Sequence, residues 1–370
     1  MKALWKATPV GEVLRLEYGK PLDDADRKPN GLYPVYGANG EKDRSDKFYF
    51  DRPSIIVGRK GSAGEVNLTE DKFWPLDVTY FVTFDERHHE LRFLYYLLTT
   101  LELPRLAKGI KPGINRNEVY SAITRIPPLP EQQRIVGILD EAFEGIATAK
   151  ANAEQNLQNA RAIFESHLQS VFTRRGAGWV EKKLGDVCVI TSILVDPREV
   201  EFHDLVHVGA GNIESQTGVL VELKTARQEG LISGKFLFDD STVLYSKIRP
   251  YLMKVARPDF SGLCSADIYP LVPAANQINR DYLFHLLLSR PFTEYAIQGS
   301  ARAGMPKVNR EHLFKFRAWL PALGKQEQLA GKLDNLHEET QRLEDIYQQK
   351  LAALEALKKS LLHLAFTGRI

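Results

Sequence analysis

Short stretches of this chain place basic and small polar side chains beside glycine or proline, directly after runs of β-forming residues. Arg59-Lys60-Gly61-Ser62 follows Ile55-Ile56-Val57, and Lys108-Gly109-Ile110-Lys111-Pro112-Gly113 leads into Asn115-Arg116. Later, Lys247-Ile248-Arg249-Pro250-Tyr251 takes the place of the Arg59 stretch, and Ser300-Ala301-Arg302-Ala303-Gly304 leads through Lys307 to Asn309-Arg310. Loops of this kind are thin enough to enter a nucleic-acid groove or to approach phosphates. Arg pairs bidentately with guanine and Asn with adenine, while Lys and Ser more often hold phosphate oxygens. Each residue also has a plainer reading as a solvated surface charge. Asn115, Arg116, Asn309 and Arg310 lie close to expected helix starts, where a structural role competes.

Patterns that would make the chain an enzyme are missing. No Gly-x-x-x-x-Gly-Lys-Ser/Thr phosphate loop occurs, and Gly209-Ala210-Gly211-Asn212 opens like a dinucleotide fingerprint but lacks its third glycine. The Asn-Pro-Pro-aromatic motif of adenine methyltransferases is absent, since Pro127-Pro128 lies between Ile126 and Leu129. His203 and His207 have the spacing of a metal pair on a helix, yet Val200 to Val208 reads as a strand and offers no third ligand. They are read as surface or structural histidines, with no metal. Cys188 and Cys264 are too few for a disulfide framework or a four-ligand zinc site, which fits a reducing cytoplasm.

Composition narrows the class further. The chain has 370 residues, 44% of them hydrophobic and 26% charged, as expected for globular domains, and a net charge of +2. A nucleic-acid binder with that balance must segregate its charges. No apolar run reaches the roughly 18 residues that span a bilayer. Met1-Lys2-Ala3-Leu4-Trp5-Lys6 has no signal-peptide pattern, so a cytoplasmic protein without a membrane partner is expected.

The elements that must position these loops occur twice. Lys111-Pro112-Gly113-Ile114-Asn115-Arg116 aligns with Met305-Pro306-Lys307-Val308-Asn309-Arg310. The same offset carries Gln132 onto Gln326, Gly137 onto Gly331, Leu139-Asp140 onto Leu333-Asp334, Ser166 onto Ser360 and Phe172-Thr173 onto Phe366-Thr367. Upstream the match loosens: Trp5 with Gly11-Glu12-Val13 parallels Trp179 with Gly185-Asp186-Val187. Ser54 to Arg59 parallels Thr242 to Lys247, and Phe93 to Leu98 parallels Tyr282 to Leu287. The tails share one task and the fronts do related but different ones.

Each tail reads as a long helix of about 40 residues, about 60 Å at 1.5 Å per residue. In the first, an apolar or small seam runs through Leu139, Ala142, Ile146, Ala149, Ala153, Leu157, Ala160, Phe164 and Val171. In the second it runs through Leu329, Leu333, Leu336, Leu343, Ile346, Leu354, Leu357, Leu361 and Leu364. Such steps of three and four are the coiled-coil signal. Pro127, Pro128 and Pro130 are expected to hold the first start at Glu131, and Pro321 to precede the second. The fronts carry short strands at Ser54 to Val57, Val78 to Phe84, Phe236 to Leu244 and Ile268 to Val272, with helices near 91–101 and 281–297.

The expected fold is α+β: two globular domains in a pseudo-two-fold inverted repeat, separated by two long antiparallel coiled-coil helices. The divisions fall at 1–128, 129–175, 176–322 and 323–370. An inverted pair of readers on a fixed spacer would contact two separated half-sites on a duplex.

The residues also carry a family resemblance. Ile126-Pro127-Pro128-Leu129-Pro130-Glu131-Gln132-Gln133-Arg134-Ile135-Val136 resembles the signature that opens the long helix of type I restriction–modification specificity subunits. Leu320-Pro321-Ala322-Leu323-Gly324-Lys325-Gln326-Glu327-Gln328 is a degenerate second copy. Tyr33 to Gly40, with Tyr36 and Asn39, resembles a segment of that family's target recognition domains. Val208 to Gly218, with Asn212 and Ser215, resembles another, and Leu364-Ala365-Phe366-Thr367-Gly368 is similar to the family's usual ending. The resemblance implies a non-catalytic subunit that binds one bipartite, asymmetric DNA sequence. Each recognition domain reads one half through the major groove, and the helices act as a ruler. It further implies docking of two modification subunits, which use S-adenosylmethionine, and recruitment of restriction subunits that use ATP and Mg, with no cofactor on this chain. A stand-alone DNA-binding regulator on the same scaffold, and a coiled-coil scaffold that binds no DNA, remain alternatives at this point.

Overall fold

The computed structural model describes residues 5–191, 194–300 and 306–370. It divides into two compact units, one of Met1–Glu154 with Gln349–Ile370, the other of Gln155–Gln348. Both long helices, Leu129–Thr173 and Leu323–Phe366, therefore give residues to each unit.

The first unit is built on a four-stranded antiparallel sheet in the order Leu14–Tyr18, Thr79–Phe84, Ser54–Gly58, Val66–Thr69. Ser54–Gly58 is buried throughout, because both faces of this apolar strand are covered. Alternation sends Ile55 and Val57 into a cluster with Phe93, Leu94 and Leu97 of the helix Leu91–Thr100. Ile56 points the other way, against Phe73 and Phe81. A smaller sheet, Gly40–Ser45, Tyr33–Gly37, Trp74–Pro75, adjoins it. The same cluster receives Ile135, Val136 and Leu139 of the first long helix and Leu362 and Ala365 of the second. Within this unit the two helices run antiparallel, with Arg134 bonded to the Ile370 carbonyl and Lys150 2.8 Å from Glu355.

The second unit repeats this plan. Its sheet runs Cys188–Ile190, Ile268–Pro273, Val243–Ser246, Val255–Ala256, covered by the helices Arg280–Leu288 and Arg290–Gln298. Leu168 and Val171 of the first long helix meet Ala330 and Leu333 of the second in its core. Arg161 pairs with Glu344 at 2.8 Å, again with the helices antiparallel. Here the second sheet has five short strands, Leu194–Val195, Lys235–Phe238, Gly262–Cys264, Val206–Val208 and Lys224–Thr225.

Several sequence expectations need correction. The first long helix starts at Leu129, with Pro130 inside its first turn, where a missing N–H costs nothing. Phe236 to Leu244 is two strands in different sheets, because the Asp239 carboxylate accepts hydrogen bonds from Ser241 and Thr242 and turns the chain. The helical region at 281–297 agrees with expectation and is two helices, the second opened by Pro291. Val200 to Val208 is strand only from Val206; the preceding residues are turns. The seam of the second long helix is narrower than the leucine pattern suggests: Leu343, Ile346 and Leu357 are 39%, 55% and 46% exposed. On this helix Gln326, Ala330, Leu333, Thr340, Leu362 and Ala365 are buried; on the first, Ala153 and Ala160 are buried along with the larger Gln132, Ile135, Val136, Leu139, Leu168 and Val171. Among the described residues, no helix is long and apolar enough to cross a membrane.

Candidate nucleic-acid interface

In the first unit the strand Ser54–Gly58 ends where only glycine fits: a Cβ on Gly58 would lie 2.1 Å from the Ser62 carbonyl and 2.5 Å from that of Ala38. The chain then folds tightly through Arg59 to Gly64, against the hairpin turn that carries Asn39. A second loop, Lys108–Gly113, closes on itself by reciprocal Lys108 and Gly113 hydrogen bonds of 3.0 and 3.1 Å. The two loops are sewn together by Gly61 N–H to the Pro112 carbonyl (2.9 Å) and Ile114 N–H to the Arg59 carbonyl (3.1 Å). Lys60, Ser62 and Lys111 are exposed on this pair, while Lys108 is bonded to Glu118 at 2.5 Å. Arg59 donates twice to the Asp77 carbonyl, at 3.0 and 2.6 Å. Arg59 and Arg116 both stack on Tyr18, at 5.4 and 4.9 Å from its ring centre.

The second unit builds the same pair from different residues. Arg249 N–H bonds the Pro306 carbonyl (2.9 Å) and Val308 N–H bonds the Lys247 carbonyl (2.8 Å). Ile248 bridges Lys307 as Lys60 bridges Gly113. Beneath each pair a tyrosine hydroxyl donates to the following carbonyl, Tyr80 to Ile114 (3.3 Å) and Tyr269 to Val308 (3.1 Å). Arg116 and Arg310 each reach back 3.3 Å to the carbonyl of a strand residue, Leu16 and Ile190. At the matching turn, Gly61 has φ +82° and Arg249 has φ +51°. A left-handed arginine costs about 1 kcal/mol, and this one is exposed. Lys247 lies 5.0 Å above Tyr269, and burial, with the neighbouring Lys307 charge, lowers its pKa. Lys307 is 3.5 Å from Asp267, and Tyr251 is half exposed.

Not every candidate joins these loops. Tyr36 is half-buried edge-on against Phe73, a core contact. Asn115 and Asn309 cap the short helices after the loops, accepting from Asn117 (2.9 Å) and His312 (2.7 Å) N–H groups. Asn212 bonds Gly209 N–H and the Val221 and Glu222 carbonyls, so it holds its own turn. Ser215 lines a separate cleft with Phe164 and Thr340. Arg302 lies outside the described residues. His203 sits in a turn against Arg227, and His207 is buried on Glu229 at 2.9 Å. No group of three or more metal-ligating side chains occurs among the described residues. Sequence reasoning passed over Tyr18 and Ile110. The signal for Tyr18 was an aromatic residue at an outward position of a strand, where it stays 48% exposed.

Comparison with known proteins places this duplicated architecture. The family model for the type I restriction modification DNA specificity domain matches residues 3–159 and 177–355. The chain belongs to that family. It is 26% identical to the Escherichia coli type I restriction enzyme EcoDI specificity subunit, over 99% of this chain and 88% of the relative. It is 24% identical to the putative type I specificity subunit S.MpnORF507P of Mycoplasma pneumoniae, with 89% and 88% covered. Among solved structures, one described as the structural basis of complex assembly and conformational transition of the type I R-M system superposes with a TM-score of 0.75. That match has 16% identity and covers 100% and 99% of the two chains. The HsdS subunit from Thermoanaerobacter tengcongensis superposes at 0.60, with 17% identity and 100% and 98% covered. As a specificity subunit, the chain supplies DNA specificity and no catalytic centre.

Proposed function

We propose that each unit of this specificity subunit reads one half of a bipartite, asymmetric DNA target through its own loop pair. The observation that carries this is the duplication of the sewn loops, with Arg59, Lys60, Ser62 and Lys111 in one copy and Lys247, Arg249, Tyr251 and Lys307 in the other. The backbone frame is shared and the side chains differ, so the halves of the target differ. Arg249 and Arg59 are the candidates for base edges, and the exposed lysines for phosphates.

The long helices set the spacer and dock two modification subunits, which bind S-adenosylmethionine; restriction subunits join through the complex and bring ATP and Mg. Support for these partners is the family, whose relatives are named as subunits of type I restriction enzymes. The test is methylome sequencing of a methylation-free host that expresses this chain with its modification subunit. A methylated motif in two short parts around a fixed unspecific gap is the expected result. Assembly of the complex without any new methylated motif overturns the reading.

A further inference from the structure

Ile110 stands at the tip of the Lys108–Gly113 loop with its side chain wholly in water, at 105% relative exposure. The tip is held firmly. Reciprocal bonds close the loop at Lys108 and Gly113, and Gly61 N–H ties Pro112 to the neighbouring loop. Gly109 makes the turn at φ +94°, a conformation that a side chain would resist. Lone exposed apolar residues are common on protein surfaces, so exposure alone assigns nothing. Position decides. Leu32 of the same unit is 72% exposed, but it belongs to neither loop of the pair. Ile110 lies between Lys108 and Lys111, on the loop joined to exposed Lys60.

Lys111 and Lys60, so placed, draw the tip against phosphates, and what the tip presents to the base pairs is a branched aliphatic group. It can form no hydrogen bond. The major groove offers one apolar feature that distinguishes a base, the C5-methyl of thymine. We propose that Ile110 is a specificity-determining residue of the first unit, packing on a thymine methyl in its half of the target; this rests on the DNA-reading role proposed above.

The experiment uses the complex of the full chain with its modification subunit, on duplexes carrying the motif found by methylome sequencing. Thymines of the first unit's half are replaced one at a time by deoxyuridine, which lacks only the methyl. Wild type is expected to lose about fourfold in affinity (~0.8 kcal/mol) at one position, the equivalent of one methyl-sized apolar contact. Ile110→Ala, an exposed change that leaves the fold intact, is expected to bind the thymine duplex about fourfold more weakly and to ignore the deoxyuridine. Three results overturn the inference: a half-site without thymine, wild-type indifference to every replacement, or an Ile110→Ala complex that keeps the deoxyuridine penalty. A complex that binds an unrelated duplex of the same length as tightly as the motif overturns the underlying DNA-reading role instead, and the inference with it.

Discussion

The two units agree most closely in their four-stranded sheets and least in what surrounds them. Both sheets share one strand order, and both loop pairs share the same backbone hydrogen bonds. Beside them, the first unit has a three-stranded sheet and the second a five-stranded one. The polar centre near the long helices also differs: Tyr96 bonds Asp140 in the first unit, while His285 bonds Asp334 in the second, and the arginine on that carboxylate is Arg92 in one and Arg257 in the other. Phe143 of the first unit is replaced by His337 in the second. The difference teaches that the frame which aims the loops is common, and that the readout and the local chemistry are free to diverge around it.

The largest expected effect tests the common frame. Gln132 is completely buried; it accepts Glu90 N–H and donates to the His88 and Pro127 carbonyls. Gln326 repeats this with Asn279, Gln277 and Pro321. Gln132→Ala and Gln326→Ala should each cost roughly 3 kcal/mol in denaturant unfolding, since buried backbone groups lose their partners. A large loss in one unit and none in the other would break the comparison. Next is a strained position in the second loop pair, where Arg249 is left-handed. Arg249→Gly should raise stability by about 0.5 kcal/mol, the left-handed penalty less the entropy that glycine adds to the unfolded chain. It should also weaken DNA binding by roughly 1–3 kcal/mol if Arg249 reads a guanine. Unchanged affinity would remove Arg249 from the readout.

Acid should separate the units. Burial lowers the pKa values of His207, His285 and His337 in the second unit, and of His89 in the first. Around His285, burial raises the Asp334 carboxyl, but hydrogen bonds and charge from His285 and Arg257 outweigh it and hold it at about 2. Asp334 therefore stays ionised and can only accept, so neutral His285 donates from Nε2. Above the ordinary histidine pKa of 6.5 both folded and unfolded states are neutral. As pH falls below it, the unfolded chain takes protons first and stability drops. Hydrogen exchange between pH 7.5 and 5 should show the second unit losing protection faster. His285→Tyr with His337→Phe, which installs the first unit's residues, should reduce the difference; equal losses in both units would contradict this. The smallest effect concerns phosphates: Lys60→Ala and Lys111→Ala should each lower the salt slope of binding by about 1, with less than a tenfold loss of affinity.

Much of the frame was legible in the sequence because repetition needs no structural knowledge to detect. The Asn115-to-Asn309 offset aligned the buried glutamines and aspartates, and prolines marked both helix starts to within a few residues. The second-helix seam was misread because leucine count does not reveal which face is buried; small Ala330 and Ala365 define it. Among the candidate contacts, the loop residues came together as expected, whereas Asn115, Asn309 and Asn212 satisfy neighbouring backbone groups. An asparagine that caps and one that reads a base look alike in one dimension.

The central claim is that each unit reads its own half of the target. It is tested most directly by replacing residues 1–128 with the corresponding front of another specificity subunit and sequencing the methylome of a methylation-free host that also expresses the modification subunit. One half of the motif should change while the other half stays as in wild type. A change in both halves, or in neither, would contradict the account.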